Sequence, residues 1–174
     1  MPDQNHPMLY TPEQKLRRDA SVWTLVQGIL APVQFIIFLV SLGLVLRCLM
    51  TGEGEEIALW SVVVKTIALY TIMVTGSIWE KVVFDKFLFA DAFFWEDVFS
   101  MLVLALHTLY LWAWWTSSLS LTEQLWLALA AYFTYCINAA QFLWKLRAAR
   151  LQAELMQLSP SLQTGGSEIG RAHV

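Results

Sequence analysis

Two carboxylates and an imidazole stand in a stretch that is otherwise apolar: FFWEDVFSMLVLALHTLYLWAWW, residues 93–115, holds Glu96, Asp97 and His107. A third acid, Glu80, closes an earlier apolar run. Glu80 and Glu96 each directly follow a tryptophan, Trp79 and Trp95. Carboxyl groups in a poorly solvated place suit general acid–base work, because desolvation and a like-charged neighbour both favour the protonated form. An acid of that kind can hand a proton to a substrate near neutral pH. The bland alternative is that these acids lie at helix ends among lipid headgroups, solvated or paired with lysine. His107 has two readings as well, a satisfied packing residue or a ligand to the central metal of a macrocycle.

The elements that must position these groups follow from composition. Of 174 residues, 57% are hydrophobic and 14% charged, with a mean hydropathy of +0.54, a balance expected of a membrane protein. Crossing about 30 Å of hydrocarbon takes about 20 apolar residues in a helix. Four such runs can be read, about 22–49, 57–79, 93–115 and 125–146. The expected fold is therefore all-α and integral to a membrane, four transmembrane helices in a bundle. Lys15, Arg17 and Arg18 precede the first run, Lys81 and Lys86 lie between the second and third, and Lys145, Arg147 and Arg150 end the fourth. The other two loops hold only Arg47, so the positive-inside rule predicts that both termini and the middle loop are cytoplasmic. A first run too long for a signal peptide should remain in place. Cys48 and Cys136 lie in different spans at unrelated depths and suggest neither a disulfide nor a metal pair.

Helical spacing gathers the polar groups into stripes. Glu96, Ser100, Val103 and His107 share one narrow face, with Glu96 and His107 about 16 Å apart. Lys65, Thr66, Tyr70, Gly76, Ser77 and Glu80 form a second stripe, opposite Val63, Val64, Ile67, Val74 and Ile78. Thr134, Asn138, Gln141 and Lys145 make a third, and Trp23, Gln27, Gln34 and Ser41 a fourth. An ionisable side chain facing lipid is expensive, so all four stripes are expected to turn inward around a cavity open to the cytoplasm. Asn138 and Gln141 serve equally as interhelical hydrogen-bond partners or as ligands to a substrate. Lys65 is more readily a structural residue than a chemical one.

At the start, Thr11, Pro12 and Gln14 spell a capping box with proline in the first turn, so a helix should begin before the membrane and run on into the first span, kinked at Pro32. TGEGEE is an acidic turn, and Thr122 is placed to cap the fourth span. The middle loop, EKVVFDKFLFADAF, mixes charge with aromatics and suits the membrane interface, where it could act as a lid. The expected organisation is a flexible 1–11, a transmembrane domain over 12–152, and a mobile tail over 153–167. Residues 168–174, EIGRAHV, read like the translation of a sequencing adapter.

Several long stretches together carry a family resemblance: LYTPEQKLRRDASVWTLVQGILAPVQF, YTIMVTGSIWEKVVF, FFWEDVFSMLVLALHT and YCINAAQFLWKLRAARLQ. From about Leu9 to Gln152 the chain resembles the 3-vinyl (bacterio)chlorophyllide hydratases of bacteriochlorophyll biosynthesis, also called 2-vinyl bacteriochlorophyllide hydratases. The resemblance implies a cofactor-independent hydro-lyase of the bacterial cytoplasmic (inner) membrane. Such an enzyme adds water to the C3 vinyl group of a chlorophyllide or bacteriochlorophyllide and leaves a 1-hydroxyethyl group. The implied partners are the magnesium-carrying pigment, water, the lipid bilayer and other pigment-biosynthesis enzymes, with no nucleic acid.

The resemblance assigns no residue roles, so these come from chemistry. Glu96 is the expected proton donor, with Asp97 and Glu80 as like-charged neighbours and Glu80 placed to orient or deprotonate the water. Tyr70, Asn138 and Gln141 would hold polar groups of the macrocycle or the water. Trp79 and Trp95 would pack on its faces, and His107 is a candidate ligand to its magnesium. Two other classes compete: a membrane carrier or assembly factor that holds tetrapyrroles unchanged, and a small transporter, for which no inverted repeat speaks.

Overall fold

The computed structural model describes residues 9–169. The described residues form five helices: α1 (Pro12–Ala20), α2 (Val22–Thr51), α3 (Glu55–Phe84), α4 (Phe94–Thr116) and α5 (Leu121–Ile169). Four stretches are long and apolar enough to cross a membrane: α2, α3, α4 and the part of α5 from Leu121 to Leu151. Tyr10–Ala139 make one compact unit, and α5 from Ala140 onward belongs to a second. The expectations for residues 1–8 and 170–174 fall outside the described residues.

The capping box forms as read: Thr11 Oγ1 accepts from Gln14 N–H, and Gln14 Oε1 accepts from Thr11 N–H. The helix does not run on into the first span, however. It stops at Ala20, because Ser21 takes an extended backbone (φ −84°, ψ 128°) and caps α2 by accepting from Trp23 N–H. Thr24 Oγ1 then donates to Arg18 O, which also accepts from Ser21 N–H, so the break is bonded from both sides. At the head of α5 the cap is Ser120 rather than Thr122. Glu123 Oε2 accepts from both the amide and the hydroxyl of Ser120, and Ser120 Oγ accepts from Glu123 N–H. A serine three residues ahead of a glutamate closes a reciprocal box, which Thr122, already inside the helix, cannot do. Between α2 and α3, Gly52 and Gly54 both take φ above +70°, a turn open to glycine at little cost.

In hydrocarbon, apolar contact alone does not draw helices together, so side-chain hydrogen bonds and close packing carry more of the specification. Such bonds tie the helices in pairs. Ser41 Oγ bonds Ser61 (α2 to α3, 2.6 Å) and Tyr132 (α2 to α5), and Tyr70 Oη bonds Thr108 (α3 to α4, 2.7 Å). Gln27 Nε2 donates to Thr75 (2.7 Å), Tyr110 Oη to Leu59 O (3.1 Å) and Asn138 Nδ2 to Ser100 (2.8 Å). Each is worth about 0.6 kcal/mol on average and about 2 kcal/mol at most. Around them packs an apolar core that includes Phe38, Val45, Val62, Leu69, Val103 and Tyr132. The stripes face largely as expected on α3 and α4: Lys65, Thr66, Glu80, Glu96, Ser100 and His107 are buried, while Val64, Ile67 and Val74 are exposed; Val63, expected on the outward face, is instead buried in the core, and Ile78 is half-buried. On α5 the inward face is Leu125, Ala128, Tyr132, Tyr135 and Asn138, and Thr134 turns back onto its own helix carbonyls.

Candidate active site

The end of α3 and the start of α4 bring two carboxylates together. α3 stops because Asp85 adopts a left-handed backbone (φ 63°), with its amide on Lys81 O. Lys81 Nζ closes the turn on Asp85 Oδ1 at 2.6 Å, and that hydrogen bond and the lysine charge hold the Asp85 carboxyl below its usual range. The chain then folds back so that Phe93 N–H meets Ala90 O at 2.8 Å and α4 begins. Glu80, one turn inside α3, and Asp97, in the first turn of α4, thereby meet within hydrogen-bonding reach. Successive loop amides hold them: Phe89 N–H donates to Asp97 Oδ2 at 2.7 Å, and Ala90 N–H to Glu80 Oε2 at 3.4 Å.

Burial makes this arrangement chemical rather than decorative. Glu80, Glu96 and Asp97 are 6%, 8% and 3% exposed. Two carboxyl groups hydrogen-bond to one another only when one of them carries a proton. One turn deeper on α4, Ser100 accepts from Asn138, whose Oδ1 is buried and has no hydrogen-bond partner among the described residues. A buried acceptor without a bond is rare in a folded protein.

An aromatic wall adjoins the pair. Trp79 packs edge-on against Phe84 and Phe93, each at 5.8 Å, and its indole N–H donates to Thr24 Oγ1 at 2.9 Å. Tyr10 stacks on Phe84 at 5.7 Å and carries the Arg18 guanidinium 4.7 Å above its ring. Burial pushes the Tyr10 phenol above its ordinary range, against the opposing pull of Arg18. Trp95, 68% exposed, packs edge-on against the exposed ring of Phe94 at 5.5 Å.

Other residues singled out in the sequence lie elsewhere. Tyr70 is ten residues before Glu80, about 15 Å along α3, and bonds Thr108. His107 is fully buried, with Nδ1 on Val103 O at 2.8 Å and Nε2 without a partner among the described residues. Near it lies Lys65, also fully buried, its ammonium 3.8 Å above the Tyr135 ring. The Gln34 amide fits with its oxygen accepting from Lys65 Nζ at 3.1 Å and its nitrogen donating to Ala68 O. Gln141 belongs to the second unit. The loop amides of Phe89 and Ala90 escaped sequence reasoning, because a main-chain donor leaves no mark in residue identity.

The comparisons with known proteins point one way. The family described as 2-vinyl bacteriochlorophyllide hydratase (BCHF) matches residues 10–148. The chain is 64% identical to a 2-vinyl bacteriochlorophyllide hydratase of Cereibacter sphaeroides over 152 residues, 87% of this chain and 94% of that one. It is 66% identical to one of Rhodobacter capsulatus over 145 residues, 83% of this chain and 84% of the relative. No solved structure matches it. The chain is a member of the 2-vinyl bacteriochlorophyllide hydratase family.

Proposed function

We propose that this protein hydrates the C3 vinyl group of a chlorophyllide or bacteriochlorophyllide to a 1-hydroxyethyl group, with the Glu80–Asp97 pair as proton source. Family membership supports the reaction, and the meeting of the two carboxyl groups under the loop amides supports the mechanism. A proton passes from the pair to the terminal vinyl carbon, leaving a cation on the inner carbon that the macrocycle delocalises. Water adds to that carbon and its surplus proton returns to the pair, so the net change is one added water and no cofactor takes part. The sequence alone favours Glu96 as the donor; the partnership of Glu80 with Asp97 supports the pair for that task. Glu96, in the same first turn of α4, and Asn138 Oδ1 are the candidates to hold the attacking water.

Trp79 belongs to an aromatic wall beside the acids and Trp95 to an exposed apron, two surfaces suited to a flat apolar ring. Tyr70 would serve only parts of a substrate that extend from this end. His107 lies three turns from Glu96 along α4, so its unpartnered Nε2 is a magnesium ligand only for a pigment that penetrates that far. The four apolar stretches, with lysine and arginine at one end, support a four-helix membrane bundle with both termini and the acid pair at the cytoplasmic face of the inner membrane. At that interface a pigment can pass to and from other pigment-biosynthesis enzymes.

The test is purified protein in lipid nanodiscs, given vinyl bacteriochlorophyllide in heavy-oxygen water. Hydration predicts one heavy oxygen in the product. Tight pigment binding with no product would replace the enzyme by a carrier.

A further inference from the structure

Phe89 carries a backbone that its side chain disfavours. Its φ is +57°, in the left-handed region that glycine and asparagine enter readily and a bulky aromatic residue seldom does. Such a conformation persists only where the surroundings over-determine it. The ring does little to explain it, being 38% exposed with a tilted contact to Phe94 at 5.8 Å. The main chain explains it better: from this turn the Phe89 amide reaches Asp97 Oδ2, and the next amide, of Ala90, reaches Glu80 Oε2. Two successive donors are thus spent on two acids from different helices, at a place where those acids are almost closed to water. Ala90, 1% exposed, fastens the same stretch through its carbonyl, which accepts from Phe93 N–H at the head of α4.

We propose that Phe89 is a positioning residue for the hydration reaction, whose left-handed turn aims consecutive main-chain N–H groups at Asp97 and Glu80 and so sets the distance between the two carboxyls. This inference rests on the assignment of the pair as proton source. Without the turn, the helices still pack, but the carboxyls lose the shared donors that fix their register. Phe89 itself touches no reacting atom in this scheme.

The experiment compares Phe89→Gly, Phe89→Asn, Phe89→Val and Phe89→Pro in nanodiscs, with turnover of vinyl bacteriochlorophyllide resolved into kcat and KM. Glycine and asparagine accept the turn, so kcat should stay within about threefold of the parent although the ring is gone. Valine resists the turn and proline also lacks the amide, so kcat should fall about tenfold to a hundredfold, the scale of a small misplacement of reacting groups, with KM little changed. A ranking by side-chain resemblance instead, with Gly and Asn losing as much as Val, would overturn the proposal. So would unchanged kcat in the Pro variant. Should Val or Pro fail to fold, the Gly and Asn variants still decide between backbone and ring. Glu80→Gln and Asp97→Asn run alongside: full turnover in both removes the proton-source reading, whereas their loss combined with a flat Phe89 series removes this inference alone.

Discussion

If Glu80 and Asp97 store one proton between them, they are a single catalytic unit, and a double-mutant cycle will expose it. Glu80→Gln keeps an oxygen to accept from Ala90 N–H and offers an amide to Asp97; Asp97→Asn keeps an oxygen for Phe89 N–H. Each variant therefore preserves the buried hydrogen bonds while removing one partner of the proton. Loss of acid–base help lowers turnover by about 10²–10⁴, or about 3–5 kcal/mol of barrier. Independent groups would multiply, giving a double variant about 10⁴–10⁸ below the parent. Groups acting as a unit would leave the double variant no worse than the poorer single one, a coupling of about 3–5 kcal/mol. The assay is the initial rate of product formation, read by mass and absorbance in nanodiscs, with pigment binding and thermal unfolding measured on the same samples. Multiplicative losses, or near-normal turnover in either single variant, would refute the shared-proton reasoning.

Glu96→Gln should lower kcat about 10²-fold through loss of the water-holding group while pigment affinity stays within a few fold; unaltered hydration would remove Glu96 from the reaction. Trp95→Ala should leave unfolding within about 0.5 kcal/mol, since the ring is exposed, but raise KM; an unchanged KM would exclude the ring from the substrate surface. Lys65→Met keeps the packing volume and removes a buried cation whose contacts are an aromatic ring and an amide, so the thermal midpoint in detergent should hold or rise. A clear fall would show that the ammonium holds the helices together. Tyr132→Phe leaves Ser41 its bond to Ser61 and should cost about 1 kcal/mol of stability, measured by thermal unfolding.

The number and placing of the apolar helices were legible in the sequence, because a helix in hydrocarbon must satisfy its own backbone and this demands a long run of one composition. The inward faces of α3 and α4 were legible for a related reason: polar residues that recur on one helical face, from Lys65 to Glu80 and from Glu96 through Ser100 to His107, have one direction in which burial costs least. The break at Ser21 and the cap at Ser120 were harder, since several serines and threonines nearby offer the same chemistry and only the local backbone chooses among them. The choice of partner for Glu80 was decided by tertiary structure. Glu96 and Asp97 are adjacent in sequence but about 100° apart around the helix, and how α4 is rotated against α3 settles which one meets Glu80. The donors on the pair were likewise invisible, because they are main-chain amides presented by a left-handed turn at a phenylalanine, a residue type that gives no hint of such a turn.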